Sequence, residues 1–155
     1  MRLVIMGPPG AGKGTQANLI KKQYNLIHIS TGEMFREAIN KKSVYGNIAK
    51  EYIDHGHLVP DDVTIELVKE KIMSLDKKGF LLDGFPRTIA QAEALDRILK
   101  EENLHLDKVI NIYIDDEKII KRIAGRRVCS KCRANYHIES IKPKVDGICD
   151  ICGVS

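Results

Sequence analysis

Residues 7–15 read Gly7-Pro8-Pro9-Gly10-Ala11-Gly12-Lys13-Gly14-Thr15, between a short apolar run over residues 3–6 and a stretch with helical periodicity over residues 13–24. This order of strand, glycine-rich loop and helix constrains the chain more than any other feature. Glycines let successive backbone N–H groups turn toward one point. The helix N-terminus adds the positive end of its dipole, and Lys13 adds a compact charge. Together they form a cradle for phosphate groups, a P-loop. The hydroxyl residue that usually follows the lysine is displaced, because Gly14 takes that slot and Thr15 comes next. Direct magnesium ligation from that slot is therefore not expected, which disfavours a GTPase or a motor ATPase.

Such a loop belongs at the end of the first strand of a parallel sheet, and the rest of the chain fits that expectation. Apolar runs at residues 26–29, 80–83 and 109–114 read as further strands. Helical patterns separate them. Ser30 and Glu33 have the spacing of a capping box, so a helix is expected to start near Thr31. A second helical stretch covers residues 44–54. Asp61 is expected to cap a helix with Val63, Leu67 and Leu75 inward. A further helix is expected over residues 88–101, with Ile89, Ala92 and Leu99 on one side, and another over 115–125. Strands separated by helices imply β-α-β units and a doubly wound α/β fold. With 155 residues, 43% of them hydrophobic and 30% charged, the chain suits one domain with a small insertion.

The net charge of +4 suits polyanionic ligands. Trp is absent and aromatics are 5%, so there is no base-stacking platform and no nucleic-acid partner is expected. No apolar run approaches the ~20 residues of a membrane span. The N-terminus lacks the long apolar stretch of a signal peptide, so a cytoplasmic protein with no membrane partner is expected. In that reducing compartment the spacing Cys129-x2-Cys132, sixteen residues, Cys149-x2-Cys152 reads as a zinc ribbon. Four thiolates close a tetrahedral shell, so the expected Zn2+ is structural and has no position for an activated water.

Gly10-Ala11-Gly12-Lys13-Gly14-Thr15, then Ser30-Thr31-Gly32, then Asp83-Gly84-Phe85-Pro86-Arg87, closely resemble the adenylate kinase family. Gly125-Arg126-Arg127 followed by Cys129 looks like the start of that family's long, zinc-carrying lid, the bacterial type. The resemblance implies a P-loop core with a parallel sheet over residues 1–29 and 60–125. It also implies a helical, monophosphate-binding insertion over 30–59, and a zinc-ribbon-like lid over 126–155 that is incomplete here. The family's continuation past Ser155 is missing, so a truncated form with reduced activity is expected.

The resemblance further implies phosphoryl transfer from ATP to AMP, giving two ADP, with Mg2+ accompanying ATP and a monomeric enzyme. Lys13, Asp83, Arg87, Arg122 and Arg126 are the implied catalytic residues. Implied contacts to ATP are Gly10, Ala11, Gly12, Lys13, Gly14, Thr15, Arg122, Arg126, Asn135 and Tyr136. Implied contacts to AMP are Thr31, Arg36, His57, Leu58, Val59, Gly84, Phe85, Pro86, Arg87 and Gln91, with His57 offering backbone only.

Physical chemistry makes these types reasonable. The AMP phosphate is largely a dianion at neutral pH, since its second pKa is ~6, so no general base is needed. Catalysis reduces to aligning two polyanions and neutralising charge, work for which planar arginine forks are suited. Asp83 ends the apolar run of residues 80–82, a place where a carboxylate can hold magnesium through water. Gln91 has two readings: the resemblance makes it a reader of adenine, while Thr88-x-x-Gln91 has capping-box spacing that needs no ligand. Arg127 is expected at the surface or on a phosphate. The histidines other than His57 have no evident partners and are expected at the surface or in packing. A UMP/CMP-type kinase, a catalytically impaired nucleotide- and zinc-binding fragment, and a zinc-mediated interaction module are the competing readings.

Overall fold

The computed structural model describes residues 1–132 and 134–155. In chain order its elements are β1 (Arg2–Met6), α1 (Lys13–Tyr24), β2 (Ile27–Ser30), α2 (Thr31–Asn40), α3 (Val44–Asp54), α4 (Asp61–Met73), β3 (Phe80–Asp83), α5 (Ile89–Glu101), β4 (Lys108–Asn111), α6 (Asp116–Gly125), β5 (Arg126–Val128) and β6 (Asn135–His137). Two compact units divide them. One comprises Met1–Met6 and Lys13–Ile112, the other Gly7–Gly12 and Tyr113–Ser155.

The first unit is organised by a four-stranded sheet of order β2-β3-β1-β4, parallel throughout. Alternation along its strands sends side chains to two faces. Val4, Ile29, Phe80 and Leu82 pack with Val68 and Ile72 of α4 and Leu95, Ile98 and Leu99 of α5. Leu3, Ile5 and Leu81 pack with Ala17 of α1 and with Leu26. Because both faces are covered, the central strands read as unbroken apolar runs, and the result is the expected three-layer α/β core. The ends of β2 and β3 are fixed together by register, Ser30 opposite Asp83. The segments that leave the sheet there, Thr31 onward and Gly84 onward, therefore start side by side.

Helices α2 and α3 form a tight pair. Ser43 caps α3, its hydroxyl accepting from the Gly46 N–H at 3.0 Å and donating to the Ala38 carbonyl at 3.3 Å. Gly46 is there because the backbones touch: a β-carbon on it would overlap the Ala38 carbonyl. A third apolar cluster, Ala49, Val59 and Val63 with Phe35, Tyr45, Ile48 and Leu67, joins this pair to the start of α4.

Several local expectations are corrected. The Ser30–Glu33 capping box is not formed, since Ser30 occupies the cap position of α2 without a side-chain bond. Asp61 is the first residue of α4 rather than its cap, which is Pro60. Asp61 directs its carboxylate to α5 instead. Ile89 is 80% exposed, because the buried stripe of α5 runs through Gln91, Ala94, Leu95, Ile98 and Leu99. Strand β4 closes at Asn111, not residue 114.

In the second unit, β5 and β6 pair antiparallel, with Arg126 opposite His137. Around them the chain turns through two cysteine-bearing knuckles. A β-carbon on Gly125, the last residue of α6, would strike the His137 ring, so the helix end and the hairpin are in direct contact. The Ile138 N–H donates to the Gly125 carbonyl at 2.9 Å and fixes the same junction.

Candidate functional site

In the first unit, residues from two separate segments meet around one carbonyl. Thr31, 3% exposed at the start of α2, donates its hydroxyl to the Gly84 carbonyl at 3.1 Å. The Arg87 guanidinium donates Nε–H to the same oxygen at 2.9 Å. Gly84 has a φ of 84° and sits so close to both that a β-carbon would lie 2.7 Å from Thr31 Oγ1 and 3.2 Å from Arg87 Nη2. Glycine is therefore required twice over, by dihedral and by space. Arg36 folds over Gly32, with Nη1 3.3 Å from where a β-carbon would stand.

The Arg87 backbone N–H donates to Gln91 Oε1 at 2.7 Å, which links this cluster to α5. Gln91 Nε2 donates to Asp61 Oδ1 at 2.7 Å, and Thr88 Oγ1 donates to Asp61 Oδ2, also at 2.7 Å. Thr88 does cap α5, accepting from the Gln91 N–H at 3.1 Å. The reciprocal half of the box is shifted by one residue, to Arg87 instead of Thr88. Of the other residues implied for the monophosphate, Val59 and Phe85 are buried in the core, Leu58 is 63% exposed, and Phe85-Pro86 is a cis peptide. Asp83 ends β3 with its side chain 13% exposed, and its Oδ2 lies 3.4 Å from His28 Nε2.

In the second unit, the phosphate-loop segment turns tightly at Pro8, whose carbonyl accepts from the Ala11 N–H at 3.2 Å. Gly10 and Gly12 have φ of 78° and 93°, values that L side chains rarely adopt. A β-carbon on Gly10 would also fall 2.9 Å from Ile123 Cγ1 of α6. Arg122, on the same helix, reaches the Ala11 carbonyl with Nη1 at 3.5 Å. Arg126 is held to Asn135 across the hairpin, donating Nε–H and Nη2–H to Oδ1 at 3.1 and 2.6 Å. Arg127 turns to the backbone carbonyls of Ala124 and Arg126.

The four cysteines converge. Cys129 Sγ lies 3.5 Å from Cys152 Sγ, and Cys132 Sγ 3.5 Å from Cys149 Sγ, all four sulfurs within 4.8 Å of one another. A tetrahedral zinc with Zn–S of ~2.3 Å sets its sulfurs about 3.8 Å apart, so the cluster fits that ion. It does not fit a disulfide, whose sulfurs are ~2.05 Å apart. Tyr136 stands behind the site and donates its hydroxyl to Cys149 Sγ at 3.4 Å. That bond, then the N–H groups of Cys152 and Ile151, pull the Cys149 thiol down to about 6 from an ordinary 9.0. The Cys129 thiol is lowered too, chiefly by the Cys132 N–H. The Ala134 backbone bond lowers Cys132, but burial and the neighbouring sulfurs outweigh it and push this thiol up to about 12.

These motifs match one family. A family model described as "Adenylate kinase" matches residues 5–149. An adenylate kinase of Acetivibrio thermocellus is 60% identical over 153 residues, covering 98% of this chain and 70% of that protein. An adenylate kinase of Carboxydothermus hydrogenoformans is 57% identical over 154 residues, covering 99% and 72%. One from Clostridium tetani is 53% identical with similar coverage, 99% and 71%. The chain belongs to the adenylate kinase family. Adenylate kinases are phosphotransferases whose substrates are ATP and AMP, and that is the function class of this chain. No helix among the described residues is long and apolar enough to cross a membrane.

Two residues next to the expected adenylate kinase positions escaped the sequence reading. His28 contacts Asp83 because parallel register sets it diagonally across β2 and β3, which only the strand order reveals. Asp61 contacts Gln91 and Thr88 because α4 and α5 pack together, and its sequence signature was that of a cap.

Proposed function

We propose that this chain transfers the terminal phosphoryl group of ATP to AMP, using two residue sets. The observation that carries the acceptor side is the convergence of Thr31, Gly84, Arg87 and Gln91 through one run of hydrogen bonds. In this reading Arg87 and Arg36 hold the AMP phosphate, and Gln91 reads its base. His57, Leu58 and Val59 form the rest of the pocket. On the donor side, residues Gly10 to Thr15 cradle the ATP phosphates, with Lys13 as the point charge. Gly14 supports this, because a β-carbon there would meet no protein atom within 4 Å, so the protein's own packing does not demand a glycine. Arg122 and Arg126 neutralise charge that develops during transfer, and Asn135 and Tyr136 line the nucleotide.

Asp83 would hold magnesium through water, a site in which one carboxylate suffices when substrate phosphates supply other oxygens. When bound, that ion neutralises charge on the transferring phosphates. Cys129, Cys132, Cys149 and Cys152 would hold a structural zinc. Residues 30–59 serve as the monophosphate-binding insertion and 126–155 as part of the lid, around a core of 1–29 and 60–125. The enzyme acts as a cytoplasmic monomer.

The test is ADP formation from ATP with AMP, UMP, CMP or GMP as acceptor, run beside a binding measurement for each. Saturable, base-selective AMP binding with ADP formation supports the proposal. Preference for UMP or CMP overturns the choice of base, and nucleotide binding without turnover shows that this chain is only a binding fragment.

A further inference from the structure

The side chain of Gln91 is 4% exposed, and both ends of its amide already have partners. An amide is nearly symmetric in shape, so what fixes its direction is the chemistry of those partners. The Arg87 backbone N–H, 2.7 Å from one end, can only donate, so that end is the carbonyl oxygen. Asp61 Oδ1, 2.7 Å from the other end, belongs to a carboxylate that can only accept, so that end is the NH2 group. Turning the amide over would set a donor against a donor and an oxygen against an oxygen. Asp61 is itself held, because Thr88 Oγ1 donates to its other oxygen at 2.7 Å.

One N–H of Nε2 and one lone pair of Oε1 then remain for a ligand. Their polarity is set before any ligand arrives. Adenine offers a matching edge, an exocyclic N–H donor beside a ring-nitrogen acceptor. Hypoxanthine and guanine reverse it, with an oxygen acceptor at position 6 beside a ring N–H donor. A freely turning glutamine could satisfy either edge by rotating through 180°. A locked one accepts adenine and opposes the others at two atoms. Polar mismatches of this kind separate ligands far more sharply than small differences of apolar shape.

We propose that Asp61 is a positioning residue for base selection: by accepting from Gln91 Nε2 it fixes the amide in the orientation that accepts a 6-aminopurine monophosphate and rejects a 6-oxopurine monophosphate. This rests on the reading of Gln91 as the base reader. It adds a residue on a different helix that never touches the ligand.

The probes are AMP and inosine monophosphate, which differ at position 6 and in the proton on the neighbouring ring nitrogen. Their dissociation constants are measured for the unaltered chain and for Asp61→Asn, Asp61→Ala and Gln91→Ala, with thermal melting as the check on folding. An asparagine offers its own NH2 or oxygen as required, and an alanine offers neither, so in both variants the amide can turn. The expected result is that the preference for AMP over inosine monophosphate falls about tenfold in both Asp61 variants, through tighter inosine monophosphate binding and not only weaker AMP binding. A purely structural role would weaken both ligands alike and leave their ratio unchanged, and that result overturns the proposal. Two folded-state variants are used so that loss of one to misfolding still leaves the ratio measurable in the other. Gln91→Ala separates the premises: if it leaves the ratio intact, Gln91 does not read the base. If it abolishes the ratio while both Asp61 variants keep it, only the role of Asp61 is wrong.

Discussion

The hydroxyl of Tyr136 donates to Cys149 Sγ at 3.4 Å and accepts from the Asp150 backbone N–H at 2.7 Å. One side chain of β6 thus spans one of the four clustered thiols and the knuckle that carries it. Hydrogen bonds of this kind to metal-binding sulfur orient the ligand and tune its basicity. In zinc-free protein the same bond is the leading reason that Cys149 sits at about 6.

The first prediction follows from that bond. Cys149 is depressed from 9.0 to about 6, so its contribution to folding is present above 9.0 and is lost as pH falls through 6. Cys132 is raised from 9.0 to about 12, so its contribution is present below 9.0 and is lost as pH rises through 12. In chelator-treated protein, iodoacetamide labelling of Cys149 should therefore begin at lower pH than labelling of Cys132. Tyr136→Phe should move the onset of Cys149 labelling to higher pH. Peptide mass mapping across a pH series reads both, and identical profiles for the two proteins would remove Tyr136 from the account.

The second concerns the metal itself. Elemental analysis should find one zinc per chain, and Cys132→Ser should lower that content sharply. Chelation should raise amide exchange across residues 126–155 while protection in β1 and β3 stays as it was. The absence of bound zinc in protein purified under reducing conditions would contradict the prediction.

Lys13→Ala is the third. A hydrogen bond to a charged group contributes ~1.5–3 kcal/mol, so ATP affinity should fall roughly ten- to a hundredfold. The melting transition should persist. Calorimetric titration gives the affinity, and unchanged binding by the folded variant would exclude the loop as the phosphate site.

The fourth is Gly84→Ala. At φ of 84° an L residue is strained, which costs ~1–3 kcal/mol. The new methyl would also press on Thr31 Oγ1 and Arg87 Nη2. Stability should fall by that amount, and AMP binding should weaken more than ATP binding. Equal losses for both nucleotides would mean that the Gly84 cluster serves the fold alone.

How much could be read in advance depended on how local the determinants were. The loop at residues 7–15 and the cysteine spacing were legible because each is a contiguous pattern whose chemistry fits little else. The three-layer fold followed from alternating periodicities, and α1 was placed at its observed ends. What failed was the choice of partner. Ser30 and Asp61 both carry cap-forming side chains, yet Ser30 makes no cap bond and Asp61 turns to α5. Ile89 does not share the buried side with Leu99, because the phase of the helix and not apolarity alone decides which side chains face the core. The buried glutamine two positions on marks that phase correctly. Nothing adjacent to His28 in sequence points to Asp83.

The bond between Arg87 Nε and the Gly84 carbonyl uses one of the five N–H donors of that guanidinium and leaves the side chain anchored. A long arginine in water carries ~2 kcal/mol of rotamer entropy. Here much of that freedom is lost when the chain folds, before any anion arrives. If Arg87 takes the AMP phosphate as proposed, less disorder is then lost on docking and more of the contact enthalpy survives as affinity. In that reading the same anchoring bond narrows the site, since an offset anion could recruit the arginine only by breaking it.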